Sequence, residues 1–547
     1  MPLLGSHMIA RSSGMLPRST VTLSPINLAK GHVAAPRSSS KLLNKFHRPS
    51  RIYASGNESS HTSFNISPPG DSNALWSDDD VLEVPSLRDQ LYPRPSPFIT
   101  TNNFGGGFVS NDDRVALTAL RFASSASAGA SCMAVDSDAE SRMNNRDSTD
   151  TNYNSDLLLQ PMIDDEVCIP LPTWAFRAGA RETIYMNPKE TKVAIVTCGG
   201  LCPGLNDVVQ GLVKKCTDYG VVDGNILGIR FGFKGFYDKE HKPVVLTKQS
   251  VDGIHLEGGT ILGTSRGGAD ITKIVKQIDI QGIDICFVVG GNGGNAGAAA
   301  IQAELARCSV PCAVVGVPKS IDNDILLIDK CFGYDTAVEE AQRALISAKV
   351  EASSAFRGVG IVKLMGRQSG FIAVNAAMAS GMVDICLIPE VPFKLHGEGG
   401  MLSYLEKVLA ERGNALICVA EGAGQDLVAK GEQKTDASGN PILGDVGLWL
   451  KHEIKKGVKD VDIKYIDPSY IIRSIPTTST DRIYCKILAH NAVHAAFAGF
   501  TGVVVGLVNT HYVYLPIPVV IQAPRTVDPR GKQWNRLRSS IGQPNFV

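Results

Sequence analysis

The chain carries two aspartates two residues apart, Asp322 and Asp324, in the stretch "GVPKSIDNDI", beside Lys319 and Ser320. On an extended backbone, side chains two apart face the same side. One carboxylate can then take a hydroxyl proton while the other holds Mg²⁺, a hard cation that prefers oxygen ligands. Asp and Asn also suit plain turns, but a turn does not call for Lys and Ser alongside. Three glycine-rich stretches look suited to an anion: "TCGGLCPGLND" with Gly199 and Gly200, "GGTILGTSRGG" with Arg266, and "GGNGGNAGA" with Gly290, Gly291, Asn292, Gly293 and Gly294. Glycine lets backbone N–H groups approach phosphate, and a following helix adds the positive end of its dipole. A guanidinium can donate to two phosphate oxygens at once. Each glycine run alone reads equally as a tight strand-to-helix turn. Arg367 in "LMGRQSGF", Glu421 in "VAEGAGQ" and Arg473 in "YIDPSYIIRS" add cations and a carboxylate at further junctions. As a set they suit a phosphorylated, polyhydroxy substrate.

Positioning such groups requires a repeated strand–loop–helix frame, and the sequence supplies one. "VAIVTC" precedes the helix-period "LNDVVQGLVKKC", "ICFVV" precedes "AGAAAIQAELARC", and "CAVVGV" leads through a polar loop to "DTAVEEAQRALISAKVEA". "GVGIVKL", "ICLIP", "ALICVA" and "TGVVVGLV" continue the alternation. Near-continuous apolar strands between helices indicate parallel sheets covered on both faces. The number of units predicts an α/β fold of two doubly wound, Rossmann-like parallel-sheet lobes, with the site in the cleft between them. In such sheets ligands bind beyond the carboxyl ends of the strands, where the unusual residues cluster.

The 547 residues are too many for one compact core. Residues 161–547 are expected to form the two lobes. Residues 58–160 are polar, acid- and proline-rich, and are expected to be low-order chain because they carry too little apolar area to offset the entropy of ordering. Residues 1–57 contain no acid among scattered Arg, Lys and Ser, the composition of an organelle transit peptide, so plastid stroma is expected, or cytoplasm if the leader is an ordinary tail. A formal net charge of zero argues against broad nucleic-acid binding. No apolar run reaches the roughly 20 residues of a membrane helix. Twelve cysteines lack metal-site spacing. Cys168, Cys198 and Cys202 near the first glycine loop suggest a redox-sensitive site, against the simpler reading of inert buried thiols.

Seven stretches in order, "TCGGLCPGLND", "LGTSRGG", "PKSIDNDI", "KLMGRQSGFIA", "VAEGAGQ", "GDVGLWL" and "YIDPSYIIR", resemble the 6-phosphofructokinase family of the plant ATP-dependent type. The resemblance runs from about Arg177 to the ending "SIGQPNF". It implies transfer of the ATP γ-phosphoryl group to the 1-hydroxyl of fructose 6-phosphate, in glycolysis, by a Mg²⁺-dependent dimer or tetramer, homo- or hetero-oligomeric. By motif position it implies that Asp322 is the general base, with Arg367 also catalytic and Asp324 supporting metal and substrate. Ser320, Met365, Gly366, Arg367 and Glu421 would line the sugar-phosphate pocket, with Tyr470 and Arg473 on the 6-phosphate. Lys464 would present a cation to a neighbouring subunit. Gly199, Gly200, Arg266 and Gly290 to Gly294 would surround the nucleotide, with Asn292 and Asp324 at the metal.

Two positions modulate this reading. Pyrophosphate users in the family tend to carry Asp where this chain has Gly293, so ATP is the expected donor, although Lys319 is shared with pyrophosphate users. The family's loop usually reads Gly-Gly-Asp-Gly, and Asn292 replaces its Asp. Asn keeps a carbonyl oxygen but loses the charge that Mg²⁺ values, at a cost of about 1–3 kcal/mol. The alternatives are a catalytically weak regulatory subunit of a mixed oligomer and a pyrophosphate-dependent enzyme.

Overall fold

The computed structural model describes residues 81–100, 107–117, 132–135, 167–170, 174–267, 269–428 and 442–546. The expected transit leader therefore lies outside the described residues. Two antiparallel pairs are short: β1 (Arg94–Pro95) with β6 (Thr183–Ile184), and β3 (Cys132–Val135) with β4 (Val167–Pro170).

The larger sheet has nine strands. Their order is β2 (Arg114–Ala116), β5 (Trp174–Arg177), β17 (His511–Pro516), β16 (Val503–Val508), β11 (Ala313–Pro318), β10 (Ile285–Gly290), β7 (Val193–Thr197), β8 (Ile226–Ile229) and β9 (Val244–Val245). The strands from β16 to β8 are parallel, and the antiparallel members lie towards the edges. Every residue of β7, β10 and β11 is buried, as a strand covered on both faces requires. Alternate residues feed two cores. Val193, Ile195 and Phe287 pack with the helices Leu205–Tyr219 and Ser479–Phe497. Ala194, Val196 and Val288 pack with Ile271–Gln281 and Asn292–Arg307. Each fully buried Val, Leu or Ile contributes about 1.5–3 kcal/mol, so these two layers fix the register of the sheet.

The smaller sheet is wholly parallel, in the order β13 (Ile385–Leu387), β14 (Asn414–Ala420), β12 (Gly358–Leu364) and β15 (Asp462–Ile466). One face meets the helices Tyr334–Ser353 and Phe371–Ser380, the other meets Met401–Arg412 and Val446–Gly457. The doubly wound expectation holds for both lobes, with antiparallel edges added to the first. In the larger sheet the strand order reverses at β7 and β10, and in the smaller at β12 and β14, which opens a crevice at each switch point.

Part of the segment expected to be low-order is instead ordered. Residues 81–100 and 107–117 pack on the first lobe: Leu82 N–H donates to Trp174 O at 2.9 Å, Leu87 N–H to Gly499 O at 2.8 Å, and β2 pairs with β5. Val81, Leu82 and Val115 are buried. Arg88 donates from Nε to Ala498 O at 2.9 Å and lies 4.3 Å from the ring centre of Phe500. The segment needs no core of its own, because it completes edges and grooves that the lobe already offers.

Candidate active site

The carboxyl ends of the two sheets border one cavity of about 780 Å³. From the first lobe Gly199, Gly200, Arg266, Gly291, Asn292, Gly293, Gly294, Ser320, Asp322 and Asp324 line it, and from the second Met365, Arg367, Glu421, Tyr470 and Arg473. Residues separated by up to 274 positions in the chain thus meet in one cleft, most of them because they follow the end of a strand.

Asp322 and Asp324 reach the cleft differently from the expected extended loop. Between them Asn323 adopts a left-handed backbone, φ 61°. Its amide pins the loop from below: Oδ1 accepts from Cys331 N–H at 2.8 Å and Nδ2 donates to Asp329 O at 3.3 Å. Asn tolerates this conformation better than most residues, and its buried amide is fully used here. The two carboxylates are thereby presented to the cleft by a turn whose middle residue points away. Asp324 accepts from Ser320 Oγ, and from Asn292 Nδ2 at 3.2 Å. Asp322 keeps Oδ1 buried with no hydrogen-bond partner, and its carbonyl accepts from Ser369 Oγ of the other lobe at 3.2 Å.

Burial raises both acids. Burial, then the neighbouring Asp324 and Glu421, push Asp322 up to about 7 against the pull of Arg473 and Lys319. Burial also raises Asp324, opposed by the Ser320 hydroxyl and Lys319. Glu421 is raised by burial and held back by Arg367 and Arg473. A carboxyl raised towards neutrality on a residue that lines the cleft is suited to accept a proton.

The phosphate-type loops form as the glycines require. Gly199 has φ 87°, donates to Ser265 O at 2.9 Å and accepts from Thr264 Oγ1 at 2.8 Å, which ties the first loop to the one bearing Arg266. Asn292, Gly293 and Gly294 form the first turn of the helix Asn292–Arg307, where backbone N–H groups lack partners inside the helix. A Cβ on Gly291 would stand 2.9 Å from Lys319 O, so that glycine serves the chain's own packing. A Cβ on Gly293 would meet nothing within 4 Å, so the position opens onto the cleft.

Three expected residues do not line the cavity. Gly290 ends β10, where a Cβ would press on Gly294 Cα at 2.9 Å. Gly366, at φ 128°, accepts from Gly422 N–H at 3.0 Å and shapes the loop rather than the wall. Lys464 lies on β15 and pairs with Asp462 at 3.1 Å. Conversely, Phe233, Gln368, Gln425 and Leu443 line the cavity although no motif reading singled them out. Gln425 closes its loop by donating to Glu421 O at 2.7 Å and accepting from Gly444 N–H at 2.9 Å.

Mg²⁺ was expected at Asn292 and Asp324, and the donor set fits it. Asn292 Oδ1 is buried without a partner and its amide nitrogen donates to Asp324, so one neutral and one anionic side chain lie side by side for a hard cation. Mg²⁺ typically takes one or two protein oxygens and fills its octahedron with phosphate oxygens and water. The thiols fit a redox role less well. Cys198 and Cys202 are buried, and burial raises both, Cys198 to about 12, so neither supplies thiolate. The side chain of Cys168 lies outside the described residues.

Fold and cleft together define a two-lobed α/β protein with glycine-rich loops on one lobe, an Arg/Glu wall on the other and paired acids at the seam. The family model for phosphofructokinase matches residues 192–496. The chain belongs to the phosphofructokinase family. It is 49% identical over 445 residues to ATP-dependent 6-phosphofructokinase 5, chloroplastic, of Arabidopsis thaliana, covering 81% of this chain and 76% of that one. It is 44% identical to ATP-dependent 6-phosphofructokinase of Borreliella burgdorferi, over 67% of this chain and 85% of the relative. Among solved structures, pyrophosphate-dependent phosphofructokinase from Marinobacter aquaeolei aligns at TM-score 0.55 and 18% identity, over 64% of this chain and 91% of that one, a likeness of fold.

Proposed function

We propose that this protein is an ATP-dependent 6-phosphofructokinase, transferring the γ-phosphoryl group of ATP to the 1-hydroxyl of fructose 6-phosphate to give fructose 1,6-bisphosphate and ADP. The observation that carries the reading is the Asp322–Asp324 pair at the seam of the two lobes, with one Asp322 oxygen unpartnered and that carboxyl raised to about 7. Asp322 accepts the 1-hydroxyl proton as the sugar oxygen attacks phosphorus. Arg473 and Tyr470 hold the 6-phosphate, and Arg367 with Glu421 orients the sugar and the transferring group. The helix N-terminus at Asn292–Gly294 and Arg266 stabilise charge on the nucleotide phosphates, since phosphoryl transfer depends on positioning and electrostatics more than on covalent chemistry. Mg²⁺, when bound by Asn292, Asp324 and the phosphates, supplies further positive charge at the transferring group.

A second reading rests on Asn292. Its amide donates to Asp324, where the family's usual Asp would place a second carboxylate, so the metal meets one charge fewer. This favours an enzyme with a raised Mg²⁺ demand, and at its extreme a weak regulatory subunit. Titrating Mg²⁺ against turnover separates the two. Asn292→Asp is expected to lower the half-saturating Mg²⁺ about tenfold, equivalent to about 1.4 kcal/mol, with wild-type turnover measurable at high Mg²⁺. No turnover by wild type at any Mg²⁺ with either ATP or pyrophosphate, alongside intact ligand binding, supports the regulatory subunit.

Assembly into a dimer or tetramer is part of the proposal. Lys464 stands outside its own cleft, and Tyr470 and Ile471 are 82% and 63% exposed beside it in sequence. Plastid residence is supported by the acid-free residues 1–57 and by the chloroplastic name of the Arabidopsis relative.

A further inference from the structure

We propose that Lys363 is a positioning residue for the sugar-phosphate side of the cleft, its ammonium joining, just beyond the last β12–β15 ladder pair, the cap of one helix and the turn that leads into another. The inference rests on the kinase reading above and assigns a role to the "GDVGLWL" stretch, which the cleft does not use. Lys363 is the penultimate residue of β12. Val359 and Ile361 on the same face pack against the helix Val446–Gly457, so Lys363 emerges at the top of that interface, two residues before Met365 and four before Arg367.

Its ammonium, on a side chain 13% exposed, lies 3.1 Å from Asp445 Oδ2 and 2.9 Å from Asp467 Oδ2. Each partner does further work. Asp445 caps its helix by accepting from Leu448 N–H at 3.0 Å, and accepts from Tyr465 Oη at 3.0 Å. Asp467 Oδ1 accepts from Ser469 N–H at 3.1 Å and Ser469 Oγ at 2.6 Å, which sets the start of the helix Ser469–Ser474. That short helix carries Tyr470 and Arg473 into the cleft, where Arg473 Nε lies 3.3 Å from Met365 Sδ. One cation therefore neutralises two partly buried carboxylates and fixes the 6-phosphate clamp relative to the strand bearing Arg367. Without it the two carboxylates repel across the gap just beyond Val362 and Ile466, where the β12–β15 ladder ends.

The test is steady-state kinetics of the full chain, with fructose 6-phosphate and ATP varied separately. Lys363→Met keeps the stem and removes the charge. It is expected to raise KM for fructose 6-phosphate at least tenfold while KM for ATP stays within about threefold. Lys363→Arg, which can bridge two carboxylates, is expected to recover KM for the sugar phosphate to within about threefold. An unchanged KM for fructose 6-phosphate, or equal rises for both substrates with no rescue by Arg, overturns the proposal. If Lys363→Met does not fold, Asp467→Asn keeps the acceptor for Ser469 but loses the ion pair. The same split in KM is expected there, and its absence counts equally against the proposal. Absence of turnover in the wild type would instead contradict the kinase reading.

Discussion

At the scale of single residues, the cleft divides a glycine that the fold requires from one that the fold leaves free to vary. Gly291 has backbone at 2.9 Å from where a Cβ would stand, whereas Gly293 has open space. Substituting Gly293 therefore tests ligand recognition without disturbing packing. Gly293→Asp places a carboxylate at the first turn of a helix, which is neutral or mildly favourable for the fold. In the cleft it faces the nucleotide phosphates, and KM for ATP is expected to rise at least tenfold, about 1.4 kcal/mol, with Tm unchanged. An ATP KM within twofold of wild type would remove Gly293 from the donor account. The residue types at the site were legible in the sequence, because glycine, arginine and paired aspartates at strand ends have few other reasons to coincide. Their mutual bonds were not. The contact of Asn292 with Asp324 spans 32 positions, and the left-handed turn at Asn323 depends on Cys331 and Asp329, which no local pattern announces.

At the scale of elements, the helix Ser479–Phe497 packs against Leu205–Tyr219, the helix that follows the first glycine loop. It carries a buried histidine, His494, and a half-buried one, His490, both shifted towards the neutral form. Tyr219 Oη and His494 Nδ1 lie 2.7 Å apart, and burial holds His494 well below the usual histidine range. Burial, aided by Lys215, lowers His490 to about 4. The unfolded chain binds these protons near pH 6.5 and the folded chain does not, so stability from this source is present above that value and is lost as pH falls towards 4. Asp207, raised to about 6 by burial on the adjoining helix, acts in the opposite sense, its contribution being lost as pH rises between 3.8 and 6. The His490 share is isolated by difference: between pH 7 and pH 5, wild type is expected to lose about 1–2 kcal/mol more than His490→Gln in denaturant unfolding. Parallel losses would mean that His490 is not held neutral. Helices and buried strands were readable from apolar periodicity. Edge strands such as β2 were not, because a short strand that completes an existing sheet needs little apolar signature of its own.

At the scale of the whole molecule, the first lobe's sheet is wide and mixed while the second's is narrow and parallel, and the candidate site lies where their carboxyl ends converge. The two-lobe plan followed from counting strand–helix units, but residues 81–100 and 107–117 joined the first lobe against their composition, through backbone pairing and the Arg88 contact with Phe500. Convergence makes a demand on one side chain above all. Asp322 sits at the seam, its carbonyl accepting from Ser369 of the other lobe, with one buried carboxyl oxygen left unpartnered. The most direct measurement is formation of fructose 1,6-bisphosphate from fructose 6-phosphate and ATP, comparing wild type with Asp322→Asn at saturating Mg²⁺. The expected result is turnover by wild type, and a kcat about 10²–10⁴ lower in the variant with both KM values within about threefold. Full turnover by Asp322→Asn would contradict the account, because the proton would then leave the sugar by another route.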